Sequence, residues 1–369
     1  MKKILVFVGT RPEAIKLAPV IIALRERSDA FDVKVCASGQ HREMLAQALD
    51  DFGIGVDIAL QVMVHNQTLG GLTARLFEAI DPVIDEVSPD WVVVQGDTTT
   101  VMVAAMLAFY HGVQVAHVEA GLRTSDLRHP FPEEMNRRVA AVVAARHYAP
   151  TDAAMQNLLA EGLSSDQVKV TGNTVVDALL LMRDKVRTQM PALPPLLDEA
   201  LQAHSRLLLI TGHRRENFGD GFEQLCGAIG ELAQAHPDVV FVYPVHLNPN
   251  VREPVQRLLS DYANVVLCEP LPYPQIVHLM DRAQAILTDS GGIQEEGITL
   301  GRPVLVTREV TERPEGMHTG LMQLVGTDRE RIIQAVNEAL ARTVERDAIC
   351  DIYGDGKAAQ RIVEDLLKA

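Results

Sequence analysis

Aromatic residues are scarce: Phe, Trp and Tyr together make up 4% of the 369 residues, and there is one Trp. Proteins that grip single-stranded nucleic acid stack its bases on successive aromatic rings, so that function class is disfavoured. Positive charge is also in deficit, with 34 Lys and Arg against 49 Asp and Glu for a net charge of −15. Such a surface repels nucleic acid and anionic lipid, and an anionic substrate has to be held by a local cluster of cations. The four cysteines (Cys36, Cys226, Cys268 and Cys350) are far apart and form no C-x-x-C pair, which fits a reduced cytoplasmic protein without a zinc site. No His, Asp or Glu spacing has the form of a metal site. No apolar run approaches the ~20 residues of a membrane span. The opening MKKILVFVG has an apolar core of only Ile4–Val8, with Arg11, Glu13 and Lys16 close behind, so it reads as a first strand rather than a signal peptide. The turn that follows is not G-x-G-x-x-G, and G-x-x-x-x-G-K-[ST] is missing, which disfavours nicotinamide, flavin and P-loop chemistry.

What is present is a globular composition, 47% hydrophobic and 22% charged, in a chain long enough for two or three domains. Short apolar runs alternate with helical patterns. Strands are expected at Lys2–Val8, Val33–Ala37, Trp91–Val94, Gln114–Val118 and His147–Ala149, with helices at Ala14–Arg27, His41–Phe52, Leu69–Val87, Val101–Tyr110 and Glu133–Val143. Val168–Asn173 closes the first half. Pro191–Ser205, with Pro191, Pro194 and Pro195, reads as part of a linker. A second series then opens, with strands at Leu207–Ile210, Val239–Tyr243, Val265–Cys268, Ala285–Thr288 and Val304–Val306. Alternation in both halves predicts an α/β protein with two doubly wound parallel sheets. In such sheets ligands bind beyond the carboxyl ends of the strands. Arg11, Asp97, Glu119, His213, His246 and Ser290 all fall there.

The stretch AILTDSGGIQEEGITLGRPVLVT, residues 285–307, reads as strand, glycine turn, helix and strand. The first N–H groups of a helix point outward unpaired, so an anion fits there. Ser290 adds a hydroxyl, and Gly291 and Gly292 allow close approach. The competing reading is an ordinary turn with Asp289 or Ser290 as N-cap. Arg313, in the loop TERPE, is placed to close on the same anion. In GTRPEAIK, Arg11 sits in the turn and Lys16 about one helical turn on, where either can reach a diphosphate. Asp97 and Glu119 each follow an apolar strand, and Glu133 lies at a helix start in HPFPEEMNR. Singly, each also reads as an N-cap, a helix-dipole partner or half of a buried ion pair. Together they resemble a proton-transfer set. His213, beside Arg214 and Arg215, ends a strand of the second half.

The ordered motifs GTRPEAIKLAP, SGQHREML, QGDTTT, HVEAGLRT, PFPEEMNR, TGNTVVDAL, TGHRREN, YPVHLNPNVREP, TDSGGIQEE, GRPVLV and TERPEG, with YGDGKAAQRI at 353–362, cover almost the whole chain. They resemble the non-hydrolysing bacterial UDP-N-acetylglucosamine 2-epimerases. The resemblance implies the GT-B fold, two Rossmann-like domains with the active site in the cleft between them. It places an N-terminal domain at 1–173, a connecting helix and linker at 174–205, a UDP-binding domain at 206–355, and a last helix, 356–369, packed back on the first domain. It implies interconversion of UDP-N-acetylglucosamine and UDP-N-acetylmannosamine without a cofactor or metal, in a cytoplasmic homodimer that feeds cell-envelope polysaccharide synthesis. The C2 proton of the sugar is not adjacent to a carbonyl. The implied route therefore expels UDP from C1, removes the C2 proton to give 2-acetamidoglucal, and reverses both steps with protonation on the opposite face.

Carried over by motif, Asp97, Glu119 and Glu133 are the implied acid, base and cation-stabilising groups, and His213 assists the leaving diphosphate. Arg11, Lys16, Ser290, Gly291, Gly292 and Arg313 are implied to hold UDP, and Glu296 the ribose hydroxyls. Gln40, Glu43, Arg214 and His246 match a second site at which some members take UDP-N-acetylglucosamine as an activator. The chain departs from the family at Asn66, where some relatives have arginine, at Leu271 and Ile276 beside the expected uracil pocket, and in the loop Asp126–Pro130. Rival readings are an epimerase of a UDP-2,3-diacetamido uronic acid, for which Arg128 or His129 would supply a cation, a hydrolysing epimerase, a retaining glycosyltransferase of the same fold, and a non-catalytic sugar-nucleotide sensor.

Overall fold

The computed structural model describes the chain from 1 to 369 apart from residues 40–41, 65–66, 125, 213 and 215–217 and the side chains of 42–44. His213, Gln40, Asn66 and Arg215 therefore lie outside the described residues, as does the side chain of Glu43. The chain divides into two compact units: Met1–Leu181 together with Tyr353–Ala369, and Met182–Ile352.

The first unit is built on a seven-stranded sheet. Its strands are β1 (Lys2–Val8), β2 (Phe31–Ala37), β3 (Ile58–Ala59), β4 (Trp91–Gln95), β5 (Gln114–Val118), β6 (Arg146–Ala149) and β7 (Val168–Val170). All neighbours pair in parallel, in the order β3-β2-β1-β4-β5-β6-β7. The helices are α1 (Arg11–Glu26), α2 (Arg42–Asp50), α3 (Leu69–Val87), α4 (Thr99–Tyr110), α5 (Glu133–Val143), α6 (Asp152–Ala160) and the start of α7 (Thr174–Thr188). Helices cover both faces of a parallel sheet, which is why β4, WVVVQ, is buried at every residue and reads as a continuous apolar run. The turns into the helices follow from side-chain capping. Thr10, Thr68, Thr98 and Thr151 each accept a backbone N–H of the first turn, and Pro12 sits in the first turn of α1, where no N–H is needed.

The second unit repeats the plan with α8 (Pro195–Ala203), β8 (Arg206–Thr211), α9 (Asp220–Ala235), β9 (Val239–Pro244), α10 (Pro249–Leu259), β10 (Val265–Cys268), α11 (Tyr273–Arg282), β11 (Ala285–Thr288), α12 (Gly291–Thr299), β12 (Val304–Val306), β13 (Met322–Leu324) and α13 (Arg329–Ala341). Its six strands are again all parallel, ordered β10-β9-β8-β11-β12-β13. The expected linker 191–205 contains a helix, α8. Pro195 opens it, a position that tolerates proline, and Leu197 and Leu201 bury one face four residues apart. The prolines mark a helix start rather than a break in structure.

The last helix, α14 (Ala358–Lys368), returns to the first unit. Asp177 on α7 accepts the backbone N–H groups of Ala358 and Ala359 at 3.2 and 2.9 Å and so caps α14 from another helix. Buried Asp365 takes the Tyr148 hydroxyl at 3.0 Å and ion-pairs with Lys169 and Arg146. Tyr353 contributes its carbonyl to the Asn173 N–H at 2.7 Å.

In each sheet the strand order reverses once, between β1 and β4 in the first unit and between β8 and β11 in the second. Crevices at the carboxyl ends of such strand pairs are where open parallel sheets bind ligands. These two positions carry GTRPEAIK with QGDTTT, and Thr211-Gly212 with TDSGG.

Candidate functional site

In the first unit the β4 and β5 ends carry Asp97 and Glu119. Glu119 is 7% exposed and holds a left-handed backbone with φ of 58°. A residue with a Cβ adopts that region at a cost, and such strain clusters at functional sites. Its carboxylate is surrounded by donors. Lys16 Nζ lies 2.7 and 2.6 Å from the two oxygens, the Gln95 amide donates to Oε2, and the Asn173 amide reaches Oε1 at 3.4 Å. These partners come from α1, β4 and the segment before α7, so three separate parts of the unit converge on one carboxylate.

Asp97 is held from the other side by α5. Arg137 ion-pairs with its carboxylate, and the Asn136 amide donates to its backbone carbonyl at 2.9 Å. Glu133 begins the same helix, and its Oε2 is buried without a hydrogen-bond partner. A carboxylate oxygen in that condition is costly unless something binds it. Next to it, Glu134 is fully buried and satisfied by Arg138 Nε at 2.8 Å, Arg137 at 3.3 Å and the Thr124 N–H at 3.1 Å.

Two further groups fix the turn that carries Asp97. His117 on β5 donates Nε2–H to the Gly96 carbonyl at 2.7 Å. Burial pushes His117 down to about 4, so the ring stays neutral; the same burial holds its register partner His147 at about 4. Glu13, buried in the first turn of α1, accepts from Gly9 N–H at 3.0 Å and from the Thr98 hydroxyl at 2.7 Å. It thereby ties the β1–α1 turn to the β4–α4 turn. Burial lifts Glu13 to about 7 against the pull of those hydrogen bonds. Arg11 opens α1 directly after the Thr10 cap.

In the second unit, Ser290 is the N-cap of α12 but its hydroxyl makes no capping hydrogen bond. The strand end is braced instead by Thr288, whose hydroxyl meets Thr211 at 2.6 Å and accepts the Ser290 N–H at 3.0 Å. Asp289 accepts the Arg214 N–H at 2.8 Å, and Arg214 Nε donates to the Asp289 carbonyl at 3.1 Å. Arg313 lies over Gly291: a Cβ there would come within 2.9 Å of the guanidinium. Glu295 fixes Arg313 Nε at 2.8 Å, and Thr311 anchors the loop to Gln294 at 2.6 Å. Glu296 is 5% exposed and accepts the Tyr273 hydroxyl at 2.7 Å. His246 is exposed beyond β9 and accepts the Asn248 N–H at 3.1 Å.

The structure therefore groups Lys16 with Glu119 in the first unit, and Ser290, Gly291, Gly292, Arg313 and Arg214 in the second. Sequence reasoning passed over Glu13, Gln95, His117, Asn136, Arg137 and Asn173, although every one lies inside a motif already quoted or beside it. Among the described residues no group of three His, Cys, Asp or Glu side chains is arranged to hold a metal, and no helix is long and apolar enough to cross a membrane.

Two parallel α/β units, each with polar groups gathered where its strand order reverses, define the GT-B class of two-domain proteins. A family model described as UDP-N-acetylglucosamine 2-epimerase matches residues 23–367. The UDP-N-acetylglucosamine 2-epimerase of Escherichia coli K12 is 48% identical over 373 residues, covering 99% of this chain and 98% of its own. The crystal structure of the Neisseria meningitidis UDP-GlcNAc 2-epimerase bound to UDP-GlcNAc has a TM-score of 0.89 at 45% identity, with 100% of both chains covered. That of the Methanocaldococcus jannaschii enzyme in complex with UDP-GlcNAc and UDP has a TM-score of 0.83 at 32% identity, again with 100% of both chains covered. The chain belongs to the UDP-N-acetylglucosamine 2-epimerase family and is an isomerase.

Proposed function

We propose that the chain interconverts UDP-N-acetylglucosamine and UDP-N-acetylmannosamine by elimination and re-addition of UDP, without a cofactor. In the forward direction the C1–O bond to the diphosphate breaks and UDP leaves with the electron pair. Positive charge at C1 acidifies the C2 proton, a carboxylate takes that proton, and the C1=C2 bond of 2-acetamidoglucal forms. Return of a proton to the opposite face of C2, with re-addition of UDP at C1, completes the epimerisation. In this reading Asp97, Glu119 and Glu133 act on the sugar.

The observation that carries this reading is the Glu119 site. A strained, buried carboxylate held by Lys16, Gln95 and Asn173 is an expensive arrangement for packing alone, and an apt one for a group that must keep its place while protons move. In the proposal Lys16 and Arg11 also serve the diphosphate, and His213 assists its departure. The start of α12, with Ser290, Gly291 and Gly292, takes a phosphate in the manner of other helix N-termini, and Arg313 clamps it. Glu296 meets the ribose hydroxyls. Gln40, Glu43, Arg214 and His246 form the second, activating UDP-N-acetylglucosamine site. The chain acts as a homodimer, which would cover exposed apolar side chains such as Phe109, Tyr110 and Val142 on the neighbouring helices α4 and α5. The test is prolonged incubation of a slowed variant such as Glu133→Gln with UDP-N-acetylglucosamine. The proposal expects 2-acetamidoglucal and UDP to accumulate in equal amounts. Free N-acetylmannosamine in place of the glucal would replace it with hydrolysis.

A further inference from the structure

We propose that Tyr273 is a positioning residue for nucleotide recognition, its hydroxyl fixing the Glu296 carboxylate against the vicinal diol of the ribose. The proposal rests on the reading of Glu296 as the ribose partner.

Tyr273 is the first residue of α11, next to its cap Pro272 and followed by Pro274. Each proline locks its own φ, so the segment presenting the ring has little freedom. The ring is 4% exposed, and its hydroxyl donates to Glu296 Oε1 at 2.7 Å. Glu296 lies on α12, five positions beyond Gly291, the first residue of that helix. Its other oxygen is on the side of that turn: Oε2 is 3.9 Å from where a Cβ on Gly292 would stand. One carboxylate oxygen is thus pinned by a buried phenol, while the other is presented toward the residues proposed to take the phosphate.

The chemistry fits that division. An ionised carboxylate only accepts hydrogen bonds, and a vicinal diol offers two O–H donors at a fixed spacing. A glutamate side chain has three rotatable bonds, so its orientation must be set beforehand if binding is not to bear the cost of ordering it. The Tyr273 hydroxyl, donating to one oxygen, restricts the orientation of the carboxylate. A phenylalanine would fill the same volume and leave the carboxylate without that anchor.

The experiment compares wild type, Tyr273→Phe and Glu296→Gln on UDP-N-acetylglucosamine and on its 2′-deoxyuridine analogue, with thermal unfolding of each variant and calorimetric titration of UDP and 2′-deoxy-UDP as a readout independent of turnover. Wild type is expected to bind the deoxy ligands about tenfold more weakly, the equivalent of one hydrogen bond to a charged group. Both variants should raise KM for the natural substrate by about that factor, with kcat and the unfolding temperature little changed, and both should lose the discrimination. If Glu296→Gln keeps the wild-type preference for the ribose, the reading of Glu296 is wrong and this inference falls with it. If Glu296→Gln loses the preference but Tyr273→Phe keeps it, the ribose reading stands and the role given to Tyr273 is wrong. A Tyr273→Phe protein that loses kcat and thermal stability together while still discriminating would show that the ring only packs.

Discussion

Glu119 is two residues before Gly121, which also has positive φ, yet no glycine stands at 119 itself. A glycine would hold that backbone without strain, and the glutamate there is what the proposal explains by giving its carboxylate a part in the chemistry. Glu119→Gln keeps the volume but removes the negative charge that faces Lys16, and Asp97→Asn does the same opposite Arg137. Each substitution should leave UDP affinity within a few-fold of wild type and lower kcat by about 10²–10⁴, the range of a lost general acid or base. Steady-state kinetics with UDP as competitive inhibitor separates the two effects, and near-wild-type turnover in either variant would remove that residue from the proton-transfer set. Glu13 and the paired histidines give the first unit a pH signature. The unfolded chain takes up protons on His117 and His147 near 6.5, whereas the folded rings resist until about 4, so their contribution to stability is lost as pH falls from 6.5 through 4. Glu13 works in the opposite sense. Its folded value of about 7 lies above the ordinary 4.5, so its contribution is complete below 4.5 and is lost as pH rises through 7. Glu13→Gln should therefore be more damaging at pH 4.5 than at pH 8, by up to about 3 kcal/mol at 1.36 kcal/mol per unit, in denaturant unfolding at the two pH values. At this scale the sequence singles out the three carboxylates proposed for proton transfer but not the side chains around them. Lys16, Gln95 and Asn173 are 103, 24 and 54 residues from Glu119, and no local pattern links them until the sheet brings the strand ends together.

At the scale of elements, the parallel strands were legible because burial on both faces turns them into unbroken apolar runs closed by glycine or proline. The run at Trp91–Gln95 and the helix at Glu133–Val143 have in the structure nearly the bounds their patterns imply. Pro191–Ser205 misled because proline stops a helix in its interior yet opens one at its first position, as Pro195 does. The start of α12 was legible as a turn and helix, while the fact that Ser290 leaves capping undone came only from geometry. Gly291→Ala should be felt through Arg313, because the new methyl would stand 2.9 Å from the guanidinium. The arginine must swing away, and UDP affinity should fall about tenfold with the fold intact, as titration calorimetry would measure. An unchanged affinity would mean that Arg313 does not act on the nucleotide from this position. The hold on α14 makes a separate prediction. Asp177→Ala strips the acceptor from the Ala358 and Ala359 N–H groups, and a lost cap costs about 1 kcal/mol. Limited proteolysis should then cut between residues 353 and 358 well before it does in wild type.

For the molecule as a whole, the acidic surface and the cationic sites serve different ends. A net charge of −15 disfavours polyanions, so the proposed UDP-sugar binding would rest on a few positioned cations rather than on a general field. Phe109, Tyr110 and Val142 are among several exposed apolar side chains. If the proposed homodimer uses these side chains, Val142→Glu should convert a particle of twice the chain mass into a single chain in light scattering, while an unaltered mass would remove them from the contact. The central claim concerns the C2 proton, and proton NMR of the protein with UDP-N-acetylglucosamine in deuterated water tests it most directly. The account predicts UDP-N-acetylmannosamine carrying deuterium at C2, because the abstracted proton leaves on a carboxylate and solvent supplies the one that returns. Epimer that retains its original C2 hydrogen would contradict deprotonation by an exchangeable group, and with it the roles assigned to Asp97, Glu119 and Glu133.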